Sequence, residues 1–170
     1  MNIDPAYLNI LRQIYTRLKD SNINWVVTGS FGFALQNVSV TPQDIDLQTD
    51  EAGAYEIECL LSEYVTRNVA FSTAGNIRSH FGALMIDGIK VEIMGDISKQ
   101  IEDGAWEEPV DLKRYKQFVE VEGMQVPVLS LEYEYQAYLK LGRIEKAQML
   151  QKVLQDRDTS MPSITLNLQS

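Results

Sequence analysis

The sequence predicts an α+β protein, and three observations carry that prediction. An N-terminal stretch repeats apolar residues at helical spacing. Two apolar runs meet at Asp87-Gly88, and two more meet at Glu122-Gly123. Acid-glycine dipeptides between such runs favour tight hairpin turns, because both central positions of a type I′ turn need positive φ.

The first helix starts at Asp4, a capping residue, with Pro5 at the first helical position. Leu8, Leu11, Ile14, Tyr15 and Leu18 then form one apolar face. Ile23–Thr28 reads as a buried strand running into Gly29-Ser30 and a short apolar helix, Phe31–Leu35. Asn37–Gln43 reads as loop, with Pro42 as a breaker, and Asp44–Thr49 as a second strand. Asp50 caps a helix expected to reach Thr66, and the polar Ser72–Ser79 reads as loop. The Asp87-Gly88 turn sets a register in Phe81–Met94: Ile86 faces Ile89, Leu84 faces Val91, Ala83 faces Glu92. The second hairpin joins Phe118–Val121 to Met124–Leu129, with Pro127 placing its second strand at an edge or end. Ser130 caps a helical segment from Leu131, Gly142 breaks it, and a further helix runs to Gln155. The expected organisation is one domain over residues 1–155 and a mobile tail over residues 156–170.

Composition narrows the function. With 24 acidic and 15 basic residues the net charge is −9, which disfavours broad binding to a nucleic-acid backbone. Cys59 is the only cysteine, so no intrachain disulfide forms; its apolar neighbours predict a buried thiol. No apolar stretch approaches the roughly 20 residues that span a bilayer, and the N-terminus lacks a signal peptide's pattern. A soluble, cytoplasmic protein is expected.

Three pieces carry chemistry. Gly29-Ser30 stands at a strand-to-helix junction, where glycine lets a ligand approach the backbone and free N–H groups can hold phosphate. Asp44-Ile45-Asp46-Leu47 puts two carboxylates on one face of a strand. Carboxylates that close repel unless a cation or proton intervenes, and magnesium prefers such hard oxygen ligands. Taken alone, the pair fits an exposed edge strand of solvated acids equally well. Glu92 faces away from Val91 and Ile93, opposite the small Ala83. Beside the two aspartates it would complete a site for one or two metals; otherwise it is a surface acid on a hairpin.

Together these residues resemble the nucleotidyltransferase superfamily. The pattern reads Val26-Val27-Thr28-Gly29-Ser30, then 13 residues, then Asp44-Ile45-Asp46-Leu47, then Glu92. Val126-Pro127-Val128-Leu129-Ser130-Leu131-Glu132 and Tyr138-Leu139-Lys140-Leu141 are similar to a segment of small bacterial members, including lincosamide-nucleotidyltransferase-like and toxin- or antitoxin-associated proteins. The resemblance covers residues 20–150. It implies a mixed sheet flanked by helices, with a nucleoside triphosphate and Mg²⁺ at one edge. It implies that Asp44, Asp46 and Glu92 bind metal and form the catalytic centre, while Gly29, Ser30 and Lys140 bind nucleotide. Arg143 and Lys146 keep the family's later basic pattern, but Ala147-Gln148 stands where an acid is often found.

The expected activity moves a nucleoside monophosphate from a triphosphate to an unidentified acceptor: a small molecule, a protein or an RNA end. The alternative is a non-catalytic module, such as an antitoxin-like partner of a basic protein. A second subunit, as in a homodimer, is one way to complete an acceptor pocket, and a protein partner is the other association considered. His80, Arg78 and the acids Glu102, Asp103, Glu107 and Glu108 around Trp106 are secondary candidates for contacting acceptor or phosphate. Each also reads as ordinary loop chemistry. Tyr133, Tyr135 and Tyr138 suit core packing better than base stacking.

Overall fold

The computed structural model describes residues 2–160. The described residues form two compact units that divide after Ser130.

In the first unit, α1 (Pro5–Leu18) opens with the Asp4 side chain accepting the Ala6 N–H at 2.9 Å. It buries Ile10, Leu11, Ile14 and Leu18. Leu8 and Tyr15 pack only partly buried beside them. β1 (Trp25–Thr28) is buried throughout and leads directly into α2 (Gly29–Leu35). After the loop come β2 (Ile45–Thr49) and α3 (Glu51–Leu60), the latter capped by Asp50 on the Gly53 N–H at 2.7 Å. Then follow β3 (Val65–Ala74), β4 (Ile77–Ile86), β5 (Ile89–Lys99), the short α4 (Leu112–Tyr115), β6 (Lys116–Val121) and β7 (Met124–Leu129).

Seven strands form one mixed sheet in the order β3-β4-β5-β2-β1-β7-β6. The β1–β2, β3–β4, β4–β5 and β6–β7 pairs are antiparallel; β2–β5 and β1–β7 are parallel. The predicted hairpin register holds: Ile86 pairs with Ile89, Leu84 with Val91, Ala83 with Glu92. Ile45, Leu47, Val91 and Ile93 join the core, so the alternate residues Asp46 and Glu92 point to the other face.

Several expectations are corrected. α3 ends at Leu60, and a 3₁₀ turn over Ser62–Tyr64 leads into β3 where the helix was expected to reach Thr66. The Arg17 guanidinium holds this corner, donating to the Leu60 carbonyl and the Glu63 carboxylate, each at 2.6 Å. Cys59 is exposed, not buried. α3 buries Gly53, Ala54 and Ile57, and a residue two positions from Ile57 lies on the opposite side of a helix. Ser72–Ser79 belongs to a β3–β4 hairpin, not a loop. β3 is an edge strand that buries only Val69, so polar residues suit it. β7 lies inside the sheet between β1 and β6 despite Pro127. Its neighbour β1 has only four residues and is registered to it at Val27–Val128, so the ladder on that side is short.

In the second unit, α5 (Leu131–Lys140) and α6 (Ile144–Ser160) are separated at Gly142, whose φ is 72°. Asp156–Ser160 is helical rather than part of a tail, and Met161–Ser170 lies outside the described residues.

α3 seats on β5 at a glycine. A Cβ at Gly95 would stand 2.7 Å from the Asp50 carbonyl oxygen and 2.8 Å from the Ala54 Cβ. Both are fixed, one by backbone and one by a buried helix face. Gly95→Val is expected to cost about 2–3 kcal/mol by overpacking, read as a fall of roughly 5–10 °C in Tm by calorimetry.

Candidate active site

The site grows from the meeting of β1, β2 and β5. Thr28 at the end of β1 pairs with Asp46 of β2, and Asp46 pairs in turn with Glu92 of β5. Two carboxylates therefore stand side by side on neighbouring strands. Asp44 lies two residues before Asp46, and the same register extended by one step sets it across from Lys90.

Lys90 supplies a positive charge to this patch. Its ammonium is 3.0 Å from Glu92 Oε1 and 3.5 Å from Asp44 Oδ2. The three side chains are 44%, 24% and 42% exposed for Lys90, Glu92 and Asp44 respectively. The hydrogen bond and charge of Glu92, then the charge of Asp44, raise the Lys90 pKa. A raised pKa means the ion pairing is fully present below the ordinary lysine value, about 10.4, and is lost as pH rises through the higher folded value.

The Gly-Ser turn abuts the same carboxylates. Gly29 has φ of 69°, and a Cβ there would fall 2.4 Å from Asp46 Oδ2. Only glycine meets both conditions. The Ser30 hydroxyl accepts the Gln43 N–H at 3.4 Å, while the Tyr7 hydroxyl donates to the Gln43 carbonyl at 2.8 Å. The residue before Asp44 is thus held on both its backbone groups, one of them by the turn itself. Burial first, then the charges of Asp44 and Asp4, raise the Tyr7 pKa, which keeps its hydroxyl a proton donor.

Asp44, Asp46, Glu92, Gly29 and Ser30 are gathered in the first unit, whereas Lys140 is the last residue of α5 in the second. There Arg143 and Lys146 approach the Tyr138 ring at 6.0 and 5.6 Å. The secondary candidates fall away from the carboxylates. His80 pairs with Gly95, three residues on from Glu92, and so points to the opposite face. It meets the Tyr55 hydroxyl at 3.1 Å and Glu51 at 3.7 Å, both on α3. Arg78 pairs with Ser98 and lies 4.5 Å from the Trp106 ring. That end of β5, with the acids that follow it, is roughly 20 Å along the strand from Glu92.

Tyr7, Gln43 and Lys90 are contributions that the motif reading did not include. Lys90 carried a readable signal, since Lys90-Val91-Glu92 places lysine and glutamate on one face of a strand. Tyr7 reaches the loop from 36 positions away and carried none.

A mixed sheet with a Gly-Ser turn packed on an Asp-x-Asp strand, and a glutamate on the parallel neighbour, defines a nucleotidyltransferase. The family model for aminoglycoside-2''-adenylyltransferase matches residues 10–151, and the chain belongs to that family. A crystal structure of a candidate nucleotidyltransferase from Thermotoga maritima shares 65% identity, with a TM-score of 0.81 over 91% of this chain and 96% of that one. The adenylyltransferase ANT(2'')-Ia, in complex with adenylyl-2''-tobramycin, superposes with a TM-score of 0.58 at 12% identity, covering 88% of this chain and 90% of its own. The lincomycin-bound lincosamide antibiotic adenylyltransferase LnuA gives 0.55 at 11%, covering 89% and 98%. The last two likenesses concern the fold. No curated protein matches the sequence. Among the described residues no helix is long and apolar enough to cross a membrane.

Proposed function

We propose that the protein transfers a nucleoside monophosphate from a nucleoside triphosphate to an acceptor oxygen, with Mg²⁺ held by Asp44, Asp46 and Glu92. The observation that carries this reading is the Asp46–Glu92 pairing beside Gly29, which sets hard oxygen donors against a turn suited to phosphate. Among the described residues no three acid, histidine or cysteine side chains form a ready-made metal cage. Lys90 stands between two of the acids instead. The donor set still fits magnesium, which fills much of its shell with water and substrate phosphate rather than with protein.

The bound ion would neutralise charge on the attacking and leaving oxygens. The chain's own residues do the positioning. Gly29 leaves room for the Asp46 carboxylate against the turn, and the Ser30 hydroxyl, already an acceptor from Gln43, keeps its proton to donate. Tyr7 and Ser30 together fix the loop that aims Asp44. The acceptor oxygen forms a bond to the α-phosphorus as the α–β bridging bond breaks, and pyrophosphate leaves with loss of the acceptor's proton. Lys140, the last residue of α5, is proposed to be a nucleotide-binding residue. The family name suggests an amino-sugar hydroxyl as one acceptor to test. A cytoplasmic setting, where triphosphates are supplied, completes the proposal.

The test is calorimetric titration of a panel of triphosphates with and without Mg²⁺. Wild type is expected to bind a triphosphate only with metal, and Asp44→Asn/Asp46→Asn to lose at least about 100-fold in affinity. Equal binding by the two proteins would sink the assignment of the acids.

A further inference from the structure

We propose that Lys90 is a resident counter-cation of the carboxylate site, occupying the acids until metal and nucleotide arrive together. The inference rests on reading Asp44, Asp46 and Glu92 as a metal site. Three like charges gathered on one face of two strands repel, and a cation placed among them relieves that repulsion. β5 carries that cation itself. Lys90 is two residues before Glu92, hence on the same face, and one step beyond the Ile45–Val91 pair, next to Asp44. Its ammonium is 3.0 Å from Glu92 and 3.5 Å from Asp44, spanning both outer acids.

Lysine suits this role. Its ammonium is a point charge on a flexible stem, able to leave one carboxylate for another anion without moving backbone. At 44% exposure it has a path out to solvent. A divalent ion arriving alone competes with Lys90 for oxygens of Asp44 and Glu92, and gives the displaced ammonium no new partner. An ion arriving with a triphosphate adds phosphate ligands to its own shell and an anion for the ammonium to pair with. Metal alone therefore binds weakly, and the two ligands bind cooperatively.

The experiment titrates Mn²⁺ into the full chain without nucleotide, comparing wild type, Lys90→Met, Lys90→Arg and Lys90→Met/Asp46→Asn. Lys90→Met removes the charge and keeps the stem; an exposed pair is weak, so affinity for Mn²⁺ should rise by about tenfold. Lys90→Arg should match wild type, which separates charge from side-chain shape. Adding a non-hydrolysable triphosphate should narrow the difference between wild type and Lys90→Met. Unchanged or weaker Mn²⁺ binding by Lys90→Met, with Asp46→Asn still abolishing it, overturns the Lys90 proposal alone. Mn²⁺ binding that survives Asp46→Asn, or no binding by any of the four proteins even with the triphosphate added, overturns the metal-site reading and this inference with it.

Discussion

Gly29→Ala is expected to weaken metal-dependent triphosphate binding by about 10- to 100-fold while leaving the protein folded. Two independent penalties meet at this residue. Its φ of 69° lies in the left-handed region, which costs an L-residue about 1–2 kcal/mol. Its added methyl would also stand 2.4 Å from Asp46 Oδ2. Asp46 is fixed in β2 between Thr28 and Glu92, so its carboxylate can yield only by turning away from its place beside Glu92. Gly123→Ala separates the two penalties. Gly123 has φ of 81° with nothing within 4 Å of an added Cβ, so it should lose comparable stability and no nucleotide affinity. Parallel melting curves and triphosphate titrations of the two variants make the comparison. Equal effects on binding would mean that the Gly29–Asp46 contact is incidental.

That contact also shows how far the sequence could be read. Elements with strong local chemistry were legible. The Asp4 cap and Pro5 opened α1 as expected, and Asp87-Gly88 set a register that carried Ala83 to Glu92 unaided. What failed was whatever depended on the rest of the sheet. β3 buries one residue of its ten and so shows no alternation of apolar and polar positions. The apolar Leu61, Tyr64 and Val65 continue the spacing of α3 into the corner beyond Leu60, because burial around a corner has no periodicity of its own. Cys59 was judged by its sequence neighbours, whereas exposure is set by helical phase. Pro127 argued for an edge position in a strand that long-range pairing with β1 places inside the sheet.

The candidate site divides along the same line. Asp44 and Asp46 share a face because of spacing alone, and Gly29-Ser30 announces a turn. The adjacency of β2 and β5, which brings Glu92 to Asp46, is a parallel pairing of residues 46 positions apart in the chain. No local signal encodes it; the family resemblance supplied the expectation. Tyr7 and its hold on Gln43 belong to the same class of long-range contact. Lys90 differs, since its place on the face of Glu92 follows from alternation.

Glu92→Gln tests whether this glutamate is a working member of the site or only a surface acid on a hairpin. The substitution keeps size and removes one charge. Stability should barely move, within about 0.5 kcal/mol, because two effects oppose each other. Lys90 loses its nearer partner, 3.0 Å away, while Asp46 is relieved of a like charge on the adjoining strand. Function should respond very differently. A hard anionic ligand replaced by a neutral amide weakens the hold on a divalent ion and the stabilisation of charge in phosphoryl transfer. Pyrophosphate release is expected to fall by about 100-fold or more, measured with a productive acceptor once one is found. Before then, Mn²⁺-dependent triphosphate binding should already fall by at least about tenfold. A variant that melts like wild type and has lost metal-dependent binding places Glu92 in the site. Unchanged binding with an unchanged melt leaves the metal to Asp44 and Asp46 alone and returns Glu92 to the role of a partner for Lys90.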